Sequence, residues 1–92
     1  MVNLEVNTAN DICSRIAENA RTLRKAKGLT QVELSEKSGV SLGSLKRFET
    51  TGQISLFSLT NLAIALEADD EFLSLFSKSH YNSIEDVICE NS

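Results

Sequence analysis

"TQVELSEKSGVSLGSLKRFE", residues 30–49, holds two helix-sized segments parted by a single glycine and a serine. Helices shorter than about 12–15 residues are marginal alone in water, so both must pack on a common core. Thr30 opens the first segment as a cap, Glu33 is placed to reach back and complete a capping box, and Leu29 is placed to staple onto Leu34. Gly39 then supplies the left-handed residue that ends a helix. Ser41 starts the next segment at once, with Val40 stapling to Leu45. The spacing predicts a helix over 30–38 and another of ten residues from Ser41, closed by Gly52. On that later helix Leu45 and Phe48 lie three apart and face inward, so Leu42, Gly43, Lys46 and Arg47 share the opposite face.

The same grammar recurs further along. In "ISLFSL", Ser55 caps and Ile54 staples to Leu59, predicting a fourth helix over 55–67 with Leu56, Leu59, Leu62, Ala63 and Leu66 as its apolar stripe. Upstream, Ile12, Ile16, Ala20 and Leu23 recur at helical spacing from Asp11 to Lys27, basic residues crowd the last turn, and Gly28 ends it. A fifth helix is predicted near 70–77, burying Phe72 or Leu73 together with Phe76. "VNLEV", residues 2–6, alternates as a short strand or an ordered arm would, "KSHYN" at 78–82 reads as a connector, and Ser83 opens a last short helix carrying Ile84, Val87 and Ile88. The expectation is an all-α bundle of about five helices: an arm over 1–10, one domain over 11–77, and a tail over 78–92 with an interaction segment as its alternative role.

Ninety-two residues suit a single modest core, and with aromatics at 5% that core must be mainly aliphatic. No run approaches the roughly 18 apolar residues of a membrane span, and the amino terminus lacks a signal-peptide pattern. Cys13 and Cys89 have no metal-site spacing and read as reduced thiols of a cytosolic protein, a bridge between them being the alternative. The net charge of −4 hides an uneven distribution. Residues 15–53 carry eight basic side chains against four acidic ones, whereas residues 54–92 carry only Lys78 against seven acids. A basic face and a separate acidic one are expected; a mixed solvated surface is the plainer alternative.

Two short helices joined by a glycine-containing turn describe a helix-turn-helix, whose first helix braces on the core while the second presents its outer face to the major groove of DNA. "LRKAKGLTQVELSEKSGVSLGSLKRFETTG", residues 23–52, resembles the Xre or Cro/phage-repressor helix-turn-helix family, in its Leu-Thr-Gln start, Ser35, Gly39, Leu45, Phe48 and Glu49. The likeness extends over about residues 14–77. It implies a lambda-repressor-like fold and a cytoplasmic, bacterial or phage-derived regulator, a repressor that binds double-stranded operator DNA as a homodimer. By that likeness Leu42, Gly43, Lys46 and Arg47 face base edges, and Gln31, Ser41, Ser44 and Thr50 contact phosphate. It also implies an ion pair between Arg24 and Glu49, with orientation of Arg24 towards a phosphate as a secondary role. Arg47 suits bidentate recognition of guanine, with phosphate attraction as the alternative. Gly43 departs from the family pattern, which usually has a hydrogen-bonding side chain there; a closer seat of the helix on the groove floor is one reading and a merely tolerated glycine the other.

An enzyme is not expected. The four glycines form no phosphate-cradling loop, and His80, the sole histidine, has no cue for a nucleophile or metal partner, so neither catalytic residues, cofactor nor metal are assigned. An interaction role is the stronger competitor. "EADDEFLSLFS", residues 67–77, joins an acidic run to Phe72, Leu73, Leu75 and Phe76, a candidate partner or dimer interface. Closure of the core by the fifth helix is the alternative for those side chains. The arrangement also resembles the HipB-like antitoxins that partner HipA-type kinase toxins, and a protein-interaction module without DNA binding is the third reading.

Overall fold

The computed structural model describes residues 7–77, and its five helices there are α1 (Ala9–Ala26), α2 (Gln31–Ser38), α3 (Leu42–Thr51), α4 (Leu56–Ala65) and α5 (Asp69–Leu73). The strand or arm expected at 2–6, the connector at 78–82, the last helix from Ser83 and Cys89 lie outside the described residues. α1 packs chiefly on α3, α2 on α3 and α4, and α5 on α4. Where α1, α2, α3 and α4 converge they enclose Ala17, Leu34, Val40, Leu45, Phe48, Leu62, Ala65 and Leu66. Phe48, Leu34, Leu45 and Leu62 are each 1% exposed, and burying a side chain of that size contributes about 1.5–3 kcal/mol. Leu29, Ile54 and Leu59, the remaining staple residues, pack against this cluster.

Local chemistry sets the boundaries. Thr30 Oγ1 accepts from the Glu33 N–H at 3.0 Å while Glu33 Oε1 accepts from the Thr30 N–H at 2.9 Å, the reciprocal capping box. Ser41 and Ser55 cap α3 and α4 through the N–H groups of Ser44 and Ser58. Gly39 and Gly52 end α2 and α3 at φ 77 and 81. The turn between α2 and α3 is further tied by two serines. Ser35 Oγ donates to the Val40 carbonyl at 2.6 Å, and Ser38 Oγ accepts from the Val40 N–H at 3.1 Å.

The structure departs from the expected pattern at both ends of the bundle. α1 begins at Ala9 rather than Asp11, because Thr8 and Asp11 exchange hydrogen bonds of 3.0 and 3.2 Å in a further capping box. Residues 9 and 10 therefore belong to the helix and not to the expected arm. Thr8→Ala is expected to lose about 1 kcal/mol of stability, read by thermal melting, with faster amide exchange confined to the first turn of α1. An unchanged first turn would place the helix start elsewhere.

Of the stripe expected on α1, Ala20 and Leu23 pack against the core, but Ile12 and Ile16 are 49% and 40% exposed, and the fully buried positions are Ala17 and Arg24. Leu56, expected in the α4 stripe, is 68% exposed. α5 is shorter than expected and ends at Leu73; Phe72 is half-buried, while Leu73 and Phe76 stand in solvent instead of closing the core. The chain after α4 is oriented by Glu67, which adopts a left-handed φ of 62 and accepts from Lys27 Nζ at 3.1 Å. The Lys27 hydrogen bond and charge, with the charge of Lys37, hold the Glu67 carboxyl below its usual pKa.

Candidate nucleic-acid interface

α3 owes its position to both of its sides. Leu45 and Phe48 anchor it in the core, and Gly52 lets its end lie directly on Cys13 of α1. With that side fixed, Gly43, Ser44, Lys46, Arg47 and Thr50 are exposed and Leu42 is half-buried. Lys46 and Arg47 form no ion pair with any described residue, so their charges are directed to solvent. This is the outward face that helical spacing assigned to Leu42, Gly43, Lys46 and Arg47. Gly43 follows Leu42 directly in the first turn of α3, and beyond its chain neighbours and the helix's own backbone no atom lies within 4 Å of where a Cβ would stand.

Behind that face lies a polar brace. Arg24 Nε and Nη2 donate to the two carboxylate oxygens of Glu49 at 2.7 and 3.0 Å, a bidentate pair, and Arg24 Nη1 donates to the Leu29 carbonyl at 2.8 Å. Gln31 Nε2 donates to Glu49 Oε1 at 2.9 Å. One carboxylate thus gathers α1, the start of α2 and the end of α3. Burial pushes the Glu49 carboxyl up, but the hydrogen bonds from Arg24 and Gln31, with the positive charges of Arg24 and Arg21, outweigh it and hold its pKa below the usual value.

These bonds change how two expected phosphate ligands are understood. Arg24 is 7% exposed with all three guanidinium nitrogens engaged, so its position in the free chain is structural. Gln31 is half-buried with its amide turned to Glu49. Ser41 Oγ donates to Ser44 Oγ at 2.9 Å in addition to capping α3, which couples two further expected phosphate contacts to each other. Thr50 lies where α3 meets α1, in an open polar recess that also includes Ser14, Arg15 and Arg21.

Sequence reasoning missed the edge of α3 that adjoins α4. There Ser44 and Arg47 line a shallow recess with Gln53, Ile54, Ser55 and Ser58. Thr51 Oγ1 donates to the Arg47 carbonyl at 2.7 Å and accepts from the Gln53 N–H at 3.1 Å, so the loop after α3 is pinned beside Arg47. The available signal was a polar side chain directly after the closing Gly52. Elsewhere, Leu73, Leu75 and Phe76 are exposed beside the acidic Asp69, Asp70 and Glu71, while Phe72 is half-buried. No helix is long and apolar enough to cross a membrane, and no acid, histidine and cysteine cluster suited to a metal occurs, both among the described residues.

A brace helix, a serine-tied turn and a second helix with an exposed basic outer face define a helix-turn-helix domain of the kind that binds DNA. A family model described as Helix-turn-helix, of the Xre and lambda-repressor type, matches residues 21–73, and the chain belongs to that family. No curated protein and no solved structure matches it significantly.

Proposed function

We propose that the chain is a sequence-specific transcriptional repressor that binds operator DNA as a homodimer, with α3 in the major groove. The observation that carries this reading is the solvent-directed pair Lys46 and Arg47, which project from α3 although the chain as a whole has a net charge of −4. Arg47 reads a guanine through its planar guanidinium, and Lys46 supplies charge beside it. Ser44 and Thr50 flank them as phosphate contacts, and Gln31 with Ser41 fixes the two helix starts against the backbone. Leu73, Leu75 and Phe76, with Phe72 beneath, form the self-association surface. Two copies of α3 then lie about 34 Å apart and read half-sites one DNA turn apart.

The test is binding to duplexes selected from the chain's own upstream region, followed by fluorescence anisotropy across a salt series. Arg47→Ala is expected to weaken binding by about 1–3 kcal/mol and to relax preference at one base pair. Gln31→Ala should weaken all duplexes more evenly, because phosphate contacts carry no sequence information. Parent-like binding by both variants would remove this face from the reading. Absence of binding even at low salt, where attraction to phosphate is greatest, would leave a protein-interaction module instead.

The exposed Leu73, Leu75 and Phe76 next to three acids favour one second reading, an antitoxin that binds a HipA-like kinase toxin and regulates its own operon. Tagged co-expression with a kinase-like neighbouring gene distinguishes it. Co-purification that is lost in Leu73→Asp supports the antitoxin, and a neighbour that elutes alone removes it.

A further inference from the structure

The apolar stripe of α1 runs past the core it helps to build. Ile12, Ile16, Ala20 and Leu23 recur at helical spacing, and the last two pack against the buried cluster. α1 has 18 residues, about 27 Å of helix, whereas α2, α3 and α4 have 8, 10 and 10. The shorter helices cover the later turns of the stripe and leave Ile12 and Ile16, in the earlier ones, 49% and 40% exposed. Arg15 stands between these isoleucines in sequence, exposed, with no ion pair to any described residue. Two apolar side chains one turn apart beside an unpaired cation suit an acidic, amphipathic segment.

The chain contains such a segment. Residues 83–88, "SIEDVI", outside the described part, carry Ile84, Val87 and Ile88 at helical spacing together with Glu85 and Asp86. The described chain also leads towards α1. Glu67, just past α4, accepts from Lys27 at the end of α1, so the chain leaves α4 beside that end. Ile16 lies eleven residues before Lys27, about 17 Å back along the helix axis. The six residues 78–83 alone extend to about 20 Å. A segment joined by so short a connector meets α1 at an effective concentration of about millimolar, which a second copy of the chain would have to match from solution.

We propose that Ile12, Arg15 and Ile16 form a docking site on α1 for residues 83–88 of the same chain. Ile84, Val87 and Ile88 cover the two isoleucines, and Glu85 pairs with Arg15. The site stands whether or not α3 reads DNA.

Cys89 follows Ile88 directly and serves as the reporter. In the full chain, Cys13→Ala removes the other thiol and keeps the Cβ that lies against Gly52. On that background Ile12→Cys and Ile16→Cys are each treated with oxidised glutathione, with Val32→Cys on α2, 50% exposed in the parent, as the matched surface control. A disulfide to Cys89 within one chain, read on a non-reducing gel and by mass spectrometry of the linked peptides, is expected to form about tenfold faster at one of the α1 positions than at Val32. A rate like that of Val32 at both α1 positions overturns the docking. Crosslinks confined to two-chain species give the stripe to a second copy and overturn it as well. Thermal melting of reduced full-length variants provides a second reading. Ile16→Ser and Val87→Ser should each lower the melting temperature by about 4–8 °C, and the double variant should fall no further than the more affected single one, because both remove the same contact. Additive losses, or an Ile16→Ser melting temperature at or above the parent's, overturn the site.

Discussion

Glu49→Ala is expected to remove about 3–5 kcal/mol of folding stability, since it strands a buried cation. Arg24, 7% exposed, would retain only the Leu29 carbonyl at 2.8 Å, and Gln31 would lose its partner as well. A loss of that size is a large share of the roughly 5–15 kcal/mol that holds a domain folded, so the melting temperature should fall steeply. Replacing both members, Arg24→Met with Glu49→Leu, should recover most of the loss, because the pair must overcome its own desolvation. Acid should act on the same brace. The Glu49 pKa lies below the ordinary 4.5, so its contribution is complete above that value. As pH falls further, the unfolded chain takes up a proton that the folded chain refuses, and the contribution declines through the folded pKa. Glu49→Gln should flatten this part of the acid profile. A Glu49→Ala domain within about 1 kcal/mol of the parent in urea titration would show that the brace is incidental.

That brace also marks the limit of what the sequence discloses. Helix starts at Ser41, Thr30 and Ser55 were legible because a cap is local chemistry, a hydroxyl and an N–H three residues apart. Thr8 was missed although it caps in the same way, because its partner is Asp11 rather than a glutamate and no apolar staple flanks it. Periodicity placed Ile12 and Ile16 inside α1, yet the close approach of Gly52 to Cys13 leaves room at that contact only for small groups such as Ala17. In α4 the pattern placed Leu59, Leu62, Ala63 and Leu66 correctly on the core side, but the helix is apolar on nearly every side, and Leu56, expected with them, points outward as Phe57 does. A buried arginine has no periodic signature at all. Arg24 and its partner were reached through family likeness, as were the roles of the face bearing Lys46 and Arg47, whereas the exposure of that face follows from the inward spacing of Leu45 and Phe48. Gln53 and Ser58 were not reached by either route, because the recess they line forms only when the loop after α3 folds back beside Arg47.

Gly52→Ala should cost about 2–4 kcal/mol, the sum of two separable effects. Its φ of 81 is left-handed backbone, which penalises an L side chain by about 1–2 kcal/mol. A Cβ would also stand 2.9 Å from the Cys13 carbonyl carbon, closer than real Cβ atoms approach, and 3.0 Å from its oxygen and its Cβ. Two of these atoms are backbone, so Cys13→Ala cannot relieve the clash, and α1 and α3 must move apart. Gly39→Ala isolates the first effect, since Gly39 has φ 77 with nothing within 4 Å of its Cβ, and should cost only about 1–2 kcal/mol. Chemical denaturation of the two variants side by side measures the difference. Equal losses would mean that the contact between α1 and α3 yields without strain. Because Gly52 sets how closely α3 lies on α1, the displaced helix should also present Lys46 and Arg47 at an altered angle. Gly52→Ala should then bind its selected duplex more weakly than Gly39→Ala even under conditions where both are fully folded, and equal affinities would separate the packing of α3 from the aim of its outer face.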